Sequence, residues 1–211
     1  PPYSSAASDV YKRQLIMNRT FLYESHRALG AKFVDFSGWE MPIHYGSQIN
    51  EHNYVRNEVG IFDVSHMNIF DFNGTEARKF MRYVLTNDVN KIEDGCALYS
   101  VITNNEGGII DDLIVYKFSN KKFRIISNCS TFNDVKEFFE DKIARYDCEL
   151  IHRSNLGILA IQGPKSKSVI KMIFGSDLPE CKSFSFEIKD KLFVSRTGYT
   201  CLLYTSDAAD E

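Results

Sequence analysis

The sequence lacks the usual marks of a disulfide frame, a metal centre or a nucleotide site. Its five cysteines (Cys96, Cys129, Cys148, Cys181 and Cys201) are odd in number and widely scattered, and none forms a C-x-x-C pair. The pattern reads as free thiols in a reducing compartment. His44, His52 and His66 show no H-x-x-x-H spacing, so no metal is expected. Neither G-x-G-x-x-G nor G-x-x-x-x-G-K-[ST] occurs, which removes the common signals for dinucleotides and nucleoside triphosphates. No apolar run approaches the roughly 20 residues that cross a bilayer. No basic stretch followed by an apolar one marks a secretory leader. The formal net charge is -3 with no basic cluster, so neither nucleic acid nor membrane is the expected partner.

What is present is an ordinary globular balance. Of 211 residues, 44% are hydrophobic and 25% charged, enough for one sizeable core or two small ones. Residues 1–14 and 201–211 carry no periodicity and read as sequence foreign to the protein. The natural chain is expected to start at Met17 and to continue beyond Thr200.

The order of elements points to an α+β fold. Helices are expected over about 20–29, ending at Gly30, and over 47–59, with Ile49, Val55 and Val59 inward. A third spans about 75–85, where Ala77, Phe80, Met81, Val84 and Leu85 fall at i, i+3, i+4, i+7 and i+8. Strands follow over about 97–103, 109–118 and 123–127, joined by turn-rich segments at 104–108 and 119–122. Next come a helix at about 132–146, strands at 148–152 and 157–162, a helix between Pro164 and Gly175, and a strand at 191–197. From Phe123 onward this is β-α-β-β-α-β, the split order of ferredoxin-like units, so mostly antiparallel sheet with packed helices is expected.

Two segments carry candidate chemistry. Residues 107–116 read Gly-Gly-Ile-Ile-Asp-Asp-Leu-Ile-Val-Tyr, and a carboxylate in so apolar a run needs a partner or a task. Successive strand side chains point to opposite faces, so only one of Asp111 and Asp112 can enter a pocket. The other caps a loop or meets solvent. An alternative is that both satisfy amides at the Gly-Gly turn. Phe62-Asp63-Val64-Ser65-His66-Met67 places Asp, Ser and His close together but has no G-x-S-x-G elbow, and a turn organised by Asp63 and Ser65 is the better reading. Tyr99 and Tyr199 sit beside small polar residues, where a ring could stack on a flat ligand.

Eight segments in colinear order carry a resemblance. They are Val34–Pro42, Tyr45–Ile49, Gly60–Met67, Leu85–Asp88, Ala97–Ser100, Gly107–Tyr116, Ile161–Pro164 and Ser195–Thr200. Together they resemble the glycine cleavage system T-protein family, the aminomethyltransferases, over roughly residues 20–200. The resemblance implies a folate-binding region over 17–200, incomplete here because a C-terminal barrel domain would follow. It implies tetrahydrofolate as acceptor, an aminomethyl group carried on the lipoyl arm of H-protein, release of ammonia and formation of 5,10-methylenetetrahydrofolate. P- and L-proteins would be functional partners. The compartment implied is the bacterial cytoplasm, or the mitochondrion in a eukaryote.

Residue by residue, the second aspartate of D-D-L-I-V faces folate in this family, which gives Asp112 the catalytic role. Met67 and Tyr99 match positions lining the folate site, Asn128 matches the asparagine of V-N-A-x, and Tyr199 matches the tyrosine of T-G-Y-T. A thioether suits a pterin face, and an amide that both donates and accepts suits a pterin edge. The family continues G-Y-T-G-E-x-G-x-E, whereas Cys201 stands after Thr200 here. That glutamate and the later folate-tail arginines are therefore missing, and the stretch is expected to be inactive alone. Cys129 replaces the more usual alanine or serine. Rival readings are a sarcosine or dimethylglycine dehydrogenase-like enzyme or demethylase, the dehydrogenases carrying an upstream flavin domain, and a non-catalytic iron–sulfur assembly protein, marked by K-G-C-Y-x-G-Q.

Overall fold

A computed structural model describes residues 17–175, 182–189 and 191–198. The chain divides into two compact units, one up to Gln48 and one from Ile49.

In the first unit a short helix, α1 (Tyr23–Ala28), precedes a hairpin of β1 (Lys32–Phe36) and β2 (Trp39–His44). Ser37 and Gly38 link the strands with φ of 52° and 81°, the paired positive angles that a two-residue hairpin turn requires. Tyr23 packs on Phe33 with ring centroids 4.8 Å apart and donates to Glu40 (3.1 Å). The 20–29 helix is found, shorter at both ends, but neither strand was legible.

The second unit opens with all but the first residue of α2 (Gln48–Asn57), followed by β3 (Gly60–Asp63). Val55 is buried as expected. Ile49, also expected inward, is 73% exposed, because it lies in the first turn of a helix whose one buried residue is Val55. The body of the unit is a seven-stranded sheet. Its strands are β4 (Asn68–Asn73), β5 (Cys96–Thr103), β6 (Ile109–Ser119), β7 (Lys122–Ser127), β8 (Glu149–His152), β10 (Ser185–Lys189) and β11 (Leu192–Arg196), in the order β11-β10-β5-β6-β7-β4-β8. Every pairing is antiparallel. The remaining strand, β9 (Leu159–Gln162), pairs with β3 outside this sheet. The helices are α3 (Ala77–Val84), α4 (Phe132–Ile143) and α5 (Ser166–Phe174).

The expected α+β class and antiparallel sheet are present. The split β-α-β unit is β7-α4-β8, with β4 between its two strands. Its continuation differs from the sequence reading: β9 leaves the sheet for β3, and β10 precedes the final strand. The apolar stripe of α3 is buried in full, from Ala77 through Phe80, Met81 and Val84 to Leu85. It meets Phe70 and Phe72 of β4, Leu113 and Val115 of β6, and Val135 and Phe139 of α4. Phe139 sits edge-on to Phe72 at 5.0 Å and to Phe70 at 5.9 Å. A second cluster, Tyr116 with Phe186 and Phe193, packs separately from this core.

Candidate functional site

Strand pairing gathers the site. On β6, Asp112 lies opposite Val101 of β5. Leu113 pairs with Ser127, and Ser127 with Asn68, so one step further along the strands Asp112, Asn128 and Met67 follow each other across the sheet. Tyr99 stands two residues from Val101, on the same face.

The two aspartates alternate as strand geometry requires: Asp111 is 4% exposed and Asp112 faces solvent. Asp112 is held by its neighbours. It accepts from the Tyr99 hydroxyl (2.9 Å) and from Asn128 Nδ2 (3.0 Å). The bond to Asp112 is the main reason the Tyr99 phenol is pushed above its ordinary value, with a smaller push from burial. Tyr99 therefore remains a proton donor to Asp112 through neutral pH. Both aspartates are also more than turn residues, because the Gly107–Gly108 turn is organised by Asn104, whose Oδ1 accepts from the amides of Glu106 and Gly108.

Met67 lines a cleft of about 970 Å³ together with Ile69, Ile114 and Ile126. Tyr99, Asp112 and Asn128 lie on the same sheet face but do not line that cleft. Arg124 and Arg153 also line it. They converge on buried Asp71, which accepts two bonds from Arg124 (2.7 and 2.9 Å) and one from Arg153 (2.8 Å). This group was not foreseen. Four of the five expected site residues are thus placed, and Tyr199 lies outside the described residues.

Asp63 and Ser65 build the turn expected of them. Asp63 Oδ1 accepts from the Ser65 amide (3.0 Å), and Ser65 Oγ accepts from the Ile158 amide (3.0 Å). Burial lowers the pKa of neighbouring His66, against the pull of Asp63. Among the described residues no group of three or more His, Cys, Asp or Glu could hold a metal ion. Nor is any described helix long and apolar enough to cross a membrane.

The family model of the GCVT N-terminal domain matches residues 22–203. The chain belongs to this family. Within the GCVT N-terminal domain family it is 46% identical over 188 residues to the curated aminomethyltransferase of Francisella tularensis (strain FSC 198). It is 45% identical over the same length to that of Francisella philomiragia. Each alignment covers 87% of this chain and 52% of the relative, so the chain spans about half the length of the curated relatives it matches. The fold is similar to the crystal structure of glycine cleavage system aminomethyltransferase T from Bartonella henselae, with a TM-score of 0.82 at 29% identity, over 92% of this chain and 56% of that one. The fold class and the GCVT family are therefore both as the sequence implied.

Proposed function

We propose that residues 17–200 form the folate-binding region of a tetrahydrofolate-dependent aminomethyltransferase of the glycine cleavage system. The reaction is transfer of the aminomethyl carbon from the lipoyl arm of H-protein to tetrahydrofolate, with release of ammonia and formation of 5,10-methylenetetrahydrofolate. P- and L-proteins act in the same system, and the compartment is the cytoplasm of a bacterium or the mitochondrion of a eukaryote. The observation that carries this reading is the convergence of Tyr99, Asp112 and Asn128 at hydrogen-bond distance on one sheet face.

The residues present suit such a ligand. Asp112 offers a solvent-facing carboxylate that needs no rearrangement to meet a nitrogen, since Tyr99 and Asn128 already fix it. A carboxylate there holds an N–H in place and stabilises positive charge developing beside it. Tetrahydrofolate supplies the nitrogens that receive the one-carbon unit. Tyr199 is assigned to the same ligand, and Met67 to its ring face.

The test is product formation from aminomethylated H-protein by the full-length enzyme, wild type against Asp112→Asn. The substitution keeps the shape and removes the charge, and a loss of about 10²- to 10⁴-fold in kcat is expected. A wild type that binds tetrahydrofolate but forms no product would overturn the enzymatic reading. So would an Asp112→Asn variant of normal kcat.

A further inference from the structure

Asp111 was assigned no task by the sequence beyond capping a loop. It is nevertheless the most heavily bonded side chain near the site. From 4% exposure its carboxylate accepts from the Asp112 amide (3.0 Å), the Asn128 amide (3.1 Å), Asn128 Nδ2 (2.7 Å) and Thr131 Oγ1 (2.9 Å). The β5–β6 register shifts just before the pair, where Ile109 rather than Ile110 meets Thr103. Such a bulge re-aims the side chains beside it.

The consequence falls on Asn128. Its Nδ2 donates to Asp111 Oδ1, to Asp112 Oδ1 (3.0 Å) and to the Asp112 carbonyl (3.2 Å). Carboxylates and carbonyls only accept, so both hydrogens of the NH₂ are committed to the aspartates. The reversed amide would set Oδ1 against two carboxylates, so the acceptor-only neighbours decide an orientation that shape alone leaves open. The main chain is clamped too, because the Asn128 carbonyl accepts from Asn68 Nδ2 (2.7 Å). Asn128 Oδ1 alone has no hydrogen bond among the described residues.

We propose that Asp111 is a positioning residue that locks the Asn128 amide in this orientation. Position 128 then presents an acceptor and no donor, and selects a ligand edge carrying an N–H, such as that of a cyclic amide or amidine. The same lock holds Asp112 in place through the shared NH₂. Only the kinetic consequence rests on the enzymatic reading above; the amide orientation does not.

Two measurements on the full-length protein test this. In [¹⁵N]asparagine-labelled wild type, the Asn128 side-chain NH₂, assigned by its loss in Asn128→Ala, is expected to exchange with solvent markedly more slowly than exposed asparagine amides. That protection should disappear in Asp111→Asn. In the second, Asp111→Asn and Asn128→Ala should each lower kcat/KM by about tenfold, the scale of one charge-assisted hydrogen bond. The double variant should be no worse than Asn128→Ala, since Asp111 acts through that amide. A merely structural Asp111 would give additive losses, which would overturn the proposal. Unprotected Asn128 NH₂ in wild type would overturn it as well, even if Asp111→Asn fails to fold. A protected amide in a protein without transferase activity would sink the enzymatic reading and leave the positioning role standing.

Discussion

Replacing Asp71 by alanine should cost the protein about 3 kcal/mol. Asp71 is 1% exposed and carries three charge-assisted hydrogen bonds from two arginines. Breaking such a pair typically costs about 3–5 kcal/mol, because a charge is left unpaired out of water. The two arginines differ in their freedom to recover. The Arg153 side chain is 32% exposed and can turn towards water. Arg124 is 11% exposed, and its guanidinium lies over the rings of Phe118 (5.6 Å) and Phe193 (5.1 Å). The stranded charge is therefore mainly that of Arg124, which sets the estimate at the lower end. At ~2–4 °C per kcal/mol for a domain of this size, Tm should fall by about 6–12 °C. Urea unfolding at neutral pH gives the free energy directly. The paired substitution Asp71→Leu with Arg124→Met should regain most of the loss, since it removes both charges and keeps apolar volume. A cost for Asp71→Ala below about 1 kcal/mol, the range of solvent-exposed pairs, would refute the reasoning. A double variant as unstable as the single one would place the loss in packing rather than in charge.

Two further outcomes are expected. Gly163 has φ +113°, and a Cβ there would stand 2.6 Å from the carbonyl oxygens of Val55 and Glu58; Gly163→Ala should cost at least about 2 kcal/mol by thermal unfolding, and a neutral result would refute that backbone approach. Burial holds the pKa of both His66 and His152 below the ordinary value of 6.5. The unfolded chain then binds more protons than the folded one below pH 6.5, so stability is full above that pH and declines as pH falls towards the folded values. Melts at pH 7.5 and 5.5 should show the decline, and His66→Gln should flatten part of it.

Legibility followed the kind of burial each residue experiences. The α3 stripe and the β5-β6-β7 meander have one-sided periodicity or clean turns, and both were readable. Strand β4 was not. Asn-Ile-Phe-Asp-Phe-Asn is buried along nearly its whole length, so solvent imposes no alternation, and its charged Asp71 is satisfied by arginines 53 and 82 residues away. The pairing of β9 with β3 is likewise invisible locally. At the site, alternation required the two aspartates to face opposite ways and Tyr99 stood out beside small polar residues, while the choice of Asp112 and the place of Asn128 came from resemblance. The hub role of Asp111 was hidden because its partners Asn128 and Thr131 lie 17 and 20 residues downstream. The presence of Asn128 and Thr131 just after a predicted strand was the available signal.

The registers of the sheet also dictate an order of assembly. The site residues from Met67 to Thr131 run from the residue just before β4 to the turn after β7, and β5, β6 and β7 are joined by the short turns 104–108 and 120–121. The β3–β9 ladder instead closes a long excursion, with Ile61 opposite Ile161 and Asp63 opposite Leu159. Local hairpins close within microseconds, whereas pairings distant in sequence are slow and bear the larger entropy of loop closure. On the ribosome, the carboxylate pair can therefore meet its asparagine before β9 has been translated. β3, whose Ile61 is 60% exposed even after pairing, must wait as an open edge until then. The length of that wait is set by the distance from Gly60 to Gln162 rather than by anything in the site.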